Sequence, residues 1–308
     1  RRFRVCFIEQ GKGNGKSPLA AAIGLYGLVA DTEPRAEVYA AATKKDQAMI
    51  LFRDAVAMVE QSPHLAANLT KSGRNPVWNL AHLKSGSFFR PIAADNAQSG
   101  PRPHIALLDE VHEHRTGLMV EMMRAGTKGR RQALILMITN SGTDKQTICW
   151  HYHEYATRVA KGLVEDDSFF GYVCALDEED DPFADETCWV KANPLLGVTI
   201  PKRYIEEQVR EAIGMPGKES IVRRLNFCQW TDAESPWIGG DVWMGAKDAE
   251  FDERLLEGRR CYGGLDLSST TDLTAFALLF EPTDRDPKWR QKAWFCLPAD
   301  KLEERERR

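Results

Sequence analysis

Gly11-Lys12-Gly13-Asn14-Gly15-Lys16-Ser17 carries the clearest chemical signal in the sequence. It lies between the β-type run Val5 to Ile8 and an Ala/Leu-rich helical pattern from about Ser17 to Ala30, the setting a phosphate-binding P-loop requires. Glycines let the backbone turn tightly enough for successive N–H groups to face phosphate oxygens, and the helix start adds partial positive charge. In that reading Lys16 reaches the β- and γ-phosphates and the Ser17 hydroxyl ligates Mg²⁺. Gln10 stands where the usual pattern has its first glycine. Pro18, in the first helical turn, gives up only an N–H that the helix does not use.

Ile105-Ala106-Leu107-Leu108-Asp109-Glu110 is an apolar run ending in two carboxylates. Downstream of a P-loop, Asp109 at the strand tip suits a Mg²⁺ contact, and Glu110 suits orienting or deprotonating an attacking water. A module that only bound nucleotide would not need Glu110, so the pair points to hydrolysis. The next apolar run, Ala133 to Ile138, ends in Thr139-Asn140-Ser141-Gly142. Polar residues there occupy the crevice where an open α/β sheet places its ligand, although an ordinary strand exit explains them equally well. Hydrolysis also calls for positive charge at the transition state. Arg102, in the turn before the acid-bearing strand, is the first candidate, with Arg130 and Arg131 second.

A second acidic group stands in Gly263-Gly264-Leu265-Asp266-Leu267-Ser268, with Asp272 beyond it. An aspartate in the middle of an apolar strand is costly unless a cation or hydrogen bonds satisfy it. Asp266 therefore reads either as a ligand of a two-metal nuclease site or as a hydrogen-bonded structural residue. A hairpin turn through Ser268 to Asp272 explains Asp272 without a metal. His112 and His114, like His151 and His153, are spaced two apart and do not converge on one ion from a helix, so structural roles are expected.

Short β-type runs alternating with helical patterns must position these groups. Val5–Ile8, Glu37–Ala41, Ser87–Ile92, Ile105–Leu108 and Ala133–Ile138 read as strands, and the alternation indicates an α/β fold with a parallel sheet and crossover helices. Thr43 is expected to cap a helix with apolar positions from Ala48 to Val59. Glu165 to Glu186 reads as acidic and irregular, followed by helices over Pro201–Ile213 and Lys218–Cys228. Thr231 to Gly240 is the best linker, and β-rich segments follow near Cys261, over Ala275–Phe280 and over Ala293–Leu297.

With 308 residues and 43% hydrophobic content, the chain has room for two domains and a sizeable core. Forty-one Lys and Arg against 45 Asp and Glu give a net charge of -4, so any nucleic-acid surface must be local. Seven scattered cysteines without a Cys-x-x-Cys pair suit a reducing compartment. No apolar run is long enough for a membrane helix and no signal peptide is evident. The Arg1 start and the charged, uncapped stretch Lys301–Arg308 suggest a fragment of a longer protein.

Taken jointly, these features resemble the large terminase subunit of tailed bacteriophages, the genome-packaging ATPase and nuclease. The resemblance covers nearly the whole chain. It rests on the P-loop bearing Lys12, Val38-Tyr39-Ala40-Ala41-Ala42-Thr43 with Gln47-Ala48, Leu108-Asp109-Glu110-Val111-His112 and Thr139-Asn140-Ser141-Gly142. It continues through Ala192-Asn193-Pro194, Leu225-Asn226, Trp230, Gly264-Leu265-Asp266-Leu267-Ser268 and Asp272-Leu273-Thr274-Ala275.

The resemblance implies a P-loop NTPase sheet of the additional-strand, catalytic-glutamate class over residues 1–235, with a lid region near 190–235. A linker over 236–258 and the start of a ribonuclease H-like nuclease over 259–308 would follow. It implies ATP and Mg²⁺ for the ATPase, Mg²⁺ or Mn²⁺ for the nuclease, and partners in double-stranded DNA, a portal protein and a small terminase subunit. A homo-oligomeric ring, work in the host cytoplasm and no membrane are expected too. By position, Gly11 to Ser17 match the nucleotide-binding residues, and Asp109 and Glu110 the metal-binding and water-activating acids. Thr139, Asn140 and Ser141 match the coupling motif, and Asp266 the first nuclease metal ligand. An adenine-contacting segment before the P-loop and the later nuclease acids are absent, so weak ATP hydrolysis and no DNA cutting are expected of this chain. A helicase-like DNA translocase and a non-hydrolysing regulatory nucleotide-binding module are the alternatives.

Overall fold

β1 (Val5–Glu9) runs directly into the glycine loop, and α1 (Lys16–Val29) leaves it. The computed structural model describes residues 2–93, 100–114, 116–231, 244–248, 251–267 and 274–296. The chain divides into two units, Arg1–Gly240 and Asp241–Arg308. The proposed hairpin turn from Ser268 to Asp272, linker residues 232–240 and the charged stretch Lys301–Arg308 lie outside the described residues.

In the first unit the chain continues through β2 (Glu37–Ala42), α2 (Lys45–Gln61), α3 (Pro63–Asn68), β3 (Thr70–Ser72), β4 (Asn79–His82) and β5 (Ser87–Ala93). Then come β6 (Ile105–Asp109), α4 (Leu118–Gly126), β7 (Leu134–Thr139), α5 (Ile148–Ala160) and β8 (Phe169–Val173). The eight strands form one sheet in the order β3-β4-β5-β2-β6-β7-β1-β8. All neighbours from β5 to β8 pair in parallel, while β3 and β4 add an antiparallel hairpin at the edge. β7 intervenes between the P-loop strand β1 and the acid-bearing strand β6, which is the additional-strand arrangement.

Every residue of β6 and β7 is buried, as expected of central parallel strands covered on both faces. One face packs against α1 and α2 through Leu25, Leu28, Leu51 and Phe52. The other packs against α4 and α5 through Met119, Met123 and Tyr152. Parallel crossovers bring the C-terminal ends of β1, β6 and β7 to one edge, and with them the glycine loop, Asp109 and Thr139.

Two local expectations are corrected, and one element is new. The α2 N-cap is Lys44 rather than Thr43; the Thr43 hydroxyl instead donates to Gln47 Oε1 at 3.0 Å, an acceptor shared with the Lys44 amide at 3.3 Å. The acidic, irregular stretch contains β8, an edge strand paired with β1, whose Phe169 is buried against Tyr152 and Tyr155 of α5. Acidic flanks hid this short aromatic run. The edge hairpin β3–β4 was also unforeseen, because three- and four-residue strands leave no clear alternation.

Beyond β8, α6 (Trp189–Ala192), α7 (Lys202–Gly214) and α8 (Glu219–Phe227) form a helical cap with its own core, including Trp189, Ile205, Val222 and Phe227. The β1–β8 ladder ends with Cys174 N donating to Glu9 O at 2.8 Å, and the chain then enters the cap, where Leu176 N donates to Phe227 O at 3.2 Å.

The second unit contains β9 (Cys261–Asp266), β10 (Thr274–Phe280) and β11 (Arg290–Cys296), an antiparallel sheet in the order β11-β10-β9. Arg259 and Arg290 both bind Asp286, at 2.8 and 2.9 Å, and tie its loops together. No helix among the described residues is long and apolar enough to cross a membrane.

Candidate nucleotide site

The loop between β1 and α1 divides its backbone donors between the protein and open space. Gly11 N donates to Ala192 O at 3.1 Å and Lys12 N to Leu225 O at 2.7 Å, both carbonyls of the cap. The amides of Gly13, Asn14, Gly15 and Lys16 donate to no described residue. Gly13 and Gly15 adopt φ of 88° and 72°, a left-handed conformation that suits glycine and turns these amides into an anion-binding concavity. Gly11 serves a different purpose. A Cβ there would stand 2.6 Å from Asn193 Oδ1 and 2.8 Å from Asn226 O, so glycine permits the cap to close onto the loop.

The remaining loop contacts extend that junction. Asn14 Nδ2 donates to Asn193 Oδ1 at 3.0 Å, Leu195 N donates to Asn14 Oδ1 at 3.1 Å, and Thr199 Oγ1 donates to Gly13 O at 3.1 Å. Lys16 is buried, and its Nζ donates to Gln10 O at 2.7 Å, Gly11 O at 3.2 Å and Asn140 Oδ1 at 2.7 Å. Burial lowers the ammonium pKa, opposed by negative charge on Glu110, Asp109 and Glu9. Ser17, half-buried, opens the helix beside it.

Asp109 closes β6 and is buried. Burial first, then the neighbouring charge of Glu110, raises its carboxyl from 3.8 to about 7, although the Glu110 amide donates to Oδ1 at 2.9 Å. Glu110 takes a left-handed backbone, φ 47° and ψ 53°, strain of about 1–3 kcal/mol that the surrounding structure holds in place. Its pKa is raised by burial, with Lys16 pulling the other way. Glu110 Oε2 is buried without a hydrogen bond and stands 3.4 Å from His112 Nδ1. Burial drives His112 down to about 4, so this imidazole is neutral at physiological pH and the contact is not an ion pair. The His112 amide donates to Thr139 Oγ1 at 3.0 Å, fixing the acid turn to β7.

Two acids raised by burial beside a buried lysine, with an orphaned carboxylate oxygen, fit a bound divalent cation. Ser17 and Asp109 are the residues that would hold it. Without metal the pair has a measurable cost. A folded pKa above the unfolded one means that the native state keeps its proton longer, so stability falls as pH rises from about 4 to about 7. The three-unit shift corresponds to about 4 kcal/mol at its limit. In chelator, Asp109→Asn is expected to flatten this loss; denaturant unfolding at about pH 5 and about pH 8 measures it, and equal slopes for variant and wild type would contradict the assignment.

Thr139, Asn140 and Ser141 occupy the adjoining strand end and are buried. Asn140 reaches Lys16, while Ser141 Oγ donates to Gln229 O at 3.0 Å and lies 3.3 Å from Arg224 O. This segment thus touches the phosphate-loop lysine on one side and the end of the cap on the other.

Several participants were not singled out from their residue types. Glu9, fully buried, accepts from His153 Nδ1 at 2.7 Å and from Trp230 Nε1 at 3.3 Å. Trp230 also packs on Trp150 at 4.9 Å between ring centroids and would lie 3.0 Å from a Cβ on Gly142. The only hint in the sequence was a carboxylate directly before the loop. Asn193 donates to Asn226 O at 2.7 Å, which gives the Ala192-Asn193-Pro194 and Leu225-Asn226 segments a structural meaning.

Arg102 does not join this site. It precedes β6, at the opposite end from Asp109; its amide donates to Glu37 Oε2 at 2.9 Å and its carbonyl accepts from Arg130 Nε at 2.9 Å. Five strand residues at ~3.3 Å each separate the two ends. Arg130 lies between Glu33 and Glu37 at 3.6 and 3.4 Å, and Arg131 is exposed at the same end. Asp266 ends β9 rather than lying mid-strand, and it is exposed. Among the described residues no group of three His, Cys, Asp or Glu is arranged for a metal.

Comparison with known proteins agrees with this geometry. The family model for the terminase large subunit ATPase domain matches residues 1–158, and that for its endonuclease domain matches residues 163–308. The large terminase subunit of Enterobacteria phage HK97 is 26% identical over 309 residues, covering 98% of this chain and 58% of that protein. Protein YmfN of Escherichia coli K12 is 28% identical over 181 residues, covering 59% of this chain and 40% of that protein. The chain therefore spans about half the length of these curated relatives. Among solved structures, the HK97 large terminase superposes with a TM-score of 0.66 at 24% identity, covering 99% of this chain and 62% of that one. The ATPase domain of the Thermus phage P74-26 large terminase gives 0.52 at 18% identity, covering 75% and 88%. At these identities the structural likeness speaks for the fold, while the two family models together account for nearly every residue. The chain belongs to the terminase large subunit family.

Proposed function

We propose that the first unit is the ATP-hydrolysing motor of a DNA-packaging terminase and that the second is the opening of its ribonuclease H-like nuclease. The observation that carries the motor reading is the convergence of Lys16, Asp109, Glu110 and Asn140 at adjoining strand ends beneath the cap. The four unclaimed amides and Lys16 bind the phosphates, and Asn14 holds the loop against the cap. Mg²⁺, when bound, neutralises charge on the β- and γ-phosphates. Glu110 orients a water molecule and takes its proton as the oxygen attacks the γ-phosphorus. The bond to the β-phosphate breaks, leaving ADP and phosphate. A carboxylate whose pKa burial has raised is suited to receive that proton.

Phosphate binding also supplies a route for coupling. When Lys16 turns to phosphate oxygens it gives up contacts that include Asn140, and Asn140 is joined through Ser141 to the end of the cap. We assign this relay to driving double-stranded DNA, with a portal protein, a small terminase subunit and further copies of the chain in a ring as partners. Concatemer cutting belongs to the nuclease with Mg²⁺ or Mn²⁺, with Asp266 as one ligand. An endonuclease match over residues 163–308 favours this over a helicase-like translocase.

A motor that follows any genome grips phosphates, not bases. Duplexes of unrelated sequence are expected to bind equally and weakly, with affinity falling steeply between about 50 mM and about 200 mM salt. Anisotropy titrations check this; sequence-selective binding that persists at high salt would overturn the packaging reading.

A further inference from the structure

Arg224 lies in the last turn of α8, where the cap meets the nucleotide loop and the coupling segment. Its own carbonyl accepts from Cys228 N at 3.2 Å and lies within reach of Ser141 Oγ, while the next carbonyl, Leu225 O, accepts from Lys12 N at 2.7 Å. Across the Thr139–Ser141 segment, Thr139 Oγ1 accepts from the His112 amide at 3.0 Å, so the same strand exit that receives Arg224 also holds the acid turn. His112 in turn stands 3.4 Å from Glu110 Oε2. The backbone of Arg224 is thus fixed to the site's machinery.

Its guanidinium is not spent on the fold. Nε is buried and has no hydrogen-bond partner, and no described carboxylate forms an ion pair with it. The adjacent Arg223 shows the contrast: it binds Glu219 at 2.8 Å, Gln229 Oε1 at 2.8 Å and Asp181 at 3.2 Å. Arg130 is similarly absorbed between Glu33 and Glu37. A helix C-terminus favours a cation, which accounts for a basic residue here but not for a buried, unsatisfied N–H. Arg224 as a whole is half-buried, but a buried N–H without a partner costs stability unless an acceptor completes it, and a planar guanidinium fork matches phosphate oxygens.

We propose that Arg224 is a ligand of the nucleotide's terminal phosphate, contributed by this chain's own cap to its own site. The inference rests on the ATP-site reading and adds to it. α8 would then distinguish ATP from ADP directly, because only ATP presents the group that Arg224 completes. The same helix carries the carbonyls that hold Lys12 and Ser141, so recognition of the terminal phosphate and coupling share one element.

The test is calorimetric titration of the protein with ADP and with a non-hydrolysable ATP analogue (an imido triphosphate), both with Mg²⁺. Arg224→Gln is expected to lose about tenfold or more in affinity for the triphosphate and to bind ADP as wild type does. Arg224→Lys, which keeps the charge but not the fork, should recover only part of the loss. Unchanged ADP affinity also shows that the variant has folded. Triphosphate and ADP affinities that fall together, or do not fall at all, would overturn the role of Arg224 while leaving the site intact. Failure of the wild-type protein to bind either nucleotide would remove the site itself, and the proposal with it.

Discussion

Glu110→Gln is expected to bind ATP with wild-type affinity and to hydrolyse it about 10²–10⁴-fold more slowly, the usual contribution of a positioned general base. The amide preserves size and can still occupy the strained left-handed turn, so neither the fold nor the phosphate contacts change. What disappears is the proton acceptor. Glu110 Oε2 has no hydrogen-bonding partner, and its neighbour His112 is neutral and already engaged by Thr139. Phosphate release under single-turnover conditions reads the effect. Undiminished release from the variant would exclude Glu110 as the base.

Lys16→Ala should act one step earlier, on binding. The ammonium donates to two loop carbonyls and to Asn140 Oδ1, and those bonds become bonds to phosphate when nucleotide enters. Charge-assisted hydrogen bonds contribute about 1.5–3 kcal/mol each, so losing even one costs about tenfold or more in ATP affinity, and turnover should vanish. The truncation also leaves Asn140 and the loop carbonyls without a donor, so a small loss of thermal stability is expected. Equal ATP affinity in variant and wild type would remove the phosphate-binding role.

The two variants separate the halves of the site, and they also show which half the sequence made legible. The glycine loop, the acid pair and the Thr139–Ser141 exit could be read because each follows a strongly apolar strand, and parallel pairing brings such strand ends to one edge. Contacts across great sequence distance left no trace. Glu9 meets Trp230, and Asn14 meets Asn193, through the return of the cap onto the loop, which no local periodicity encodes. Arg102 shows that nearness in sequence is not nearness in space: it stands at the other end of β6 from Asp109. Arg224 was one basic residue among several in an amphipathic helix, and only its lack of partners in the fold distinguishes it from Arg223. Asp266 looked costly when counted as mid-strand; at the end of β9 it is in contact with solvent.

Hydrogen exchange of the protein with and without Mg²⁺ and ATP tests the central claim most directly, because it reports where nucleotide binds. Added protection is expected over residues 10–17, where four amides gain phosphate partners, over 109–113 and 139–142, and at the end of α8. Residues 100–104, at the opposite end of the sheet, should not change. Saturable ATP binding that left residues 10–17 unprotected, or that protected the Arg102 end instead, would contradict it.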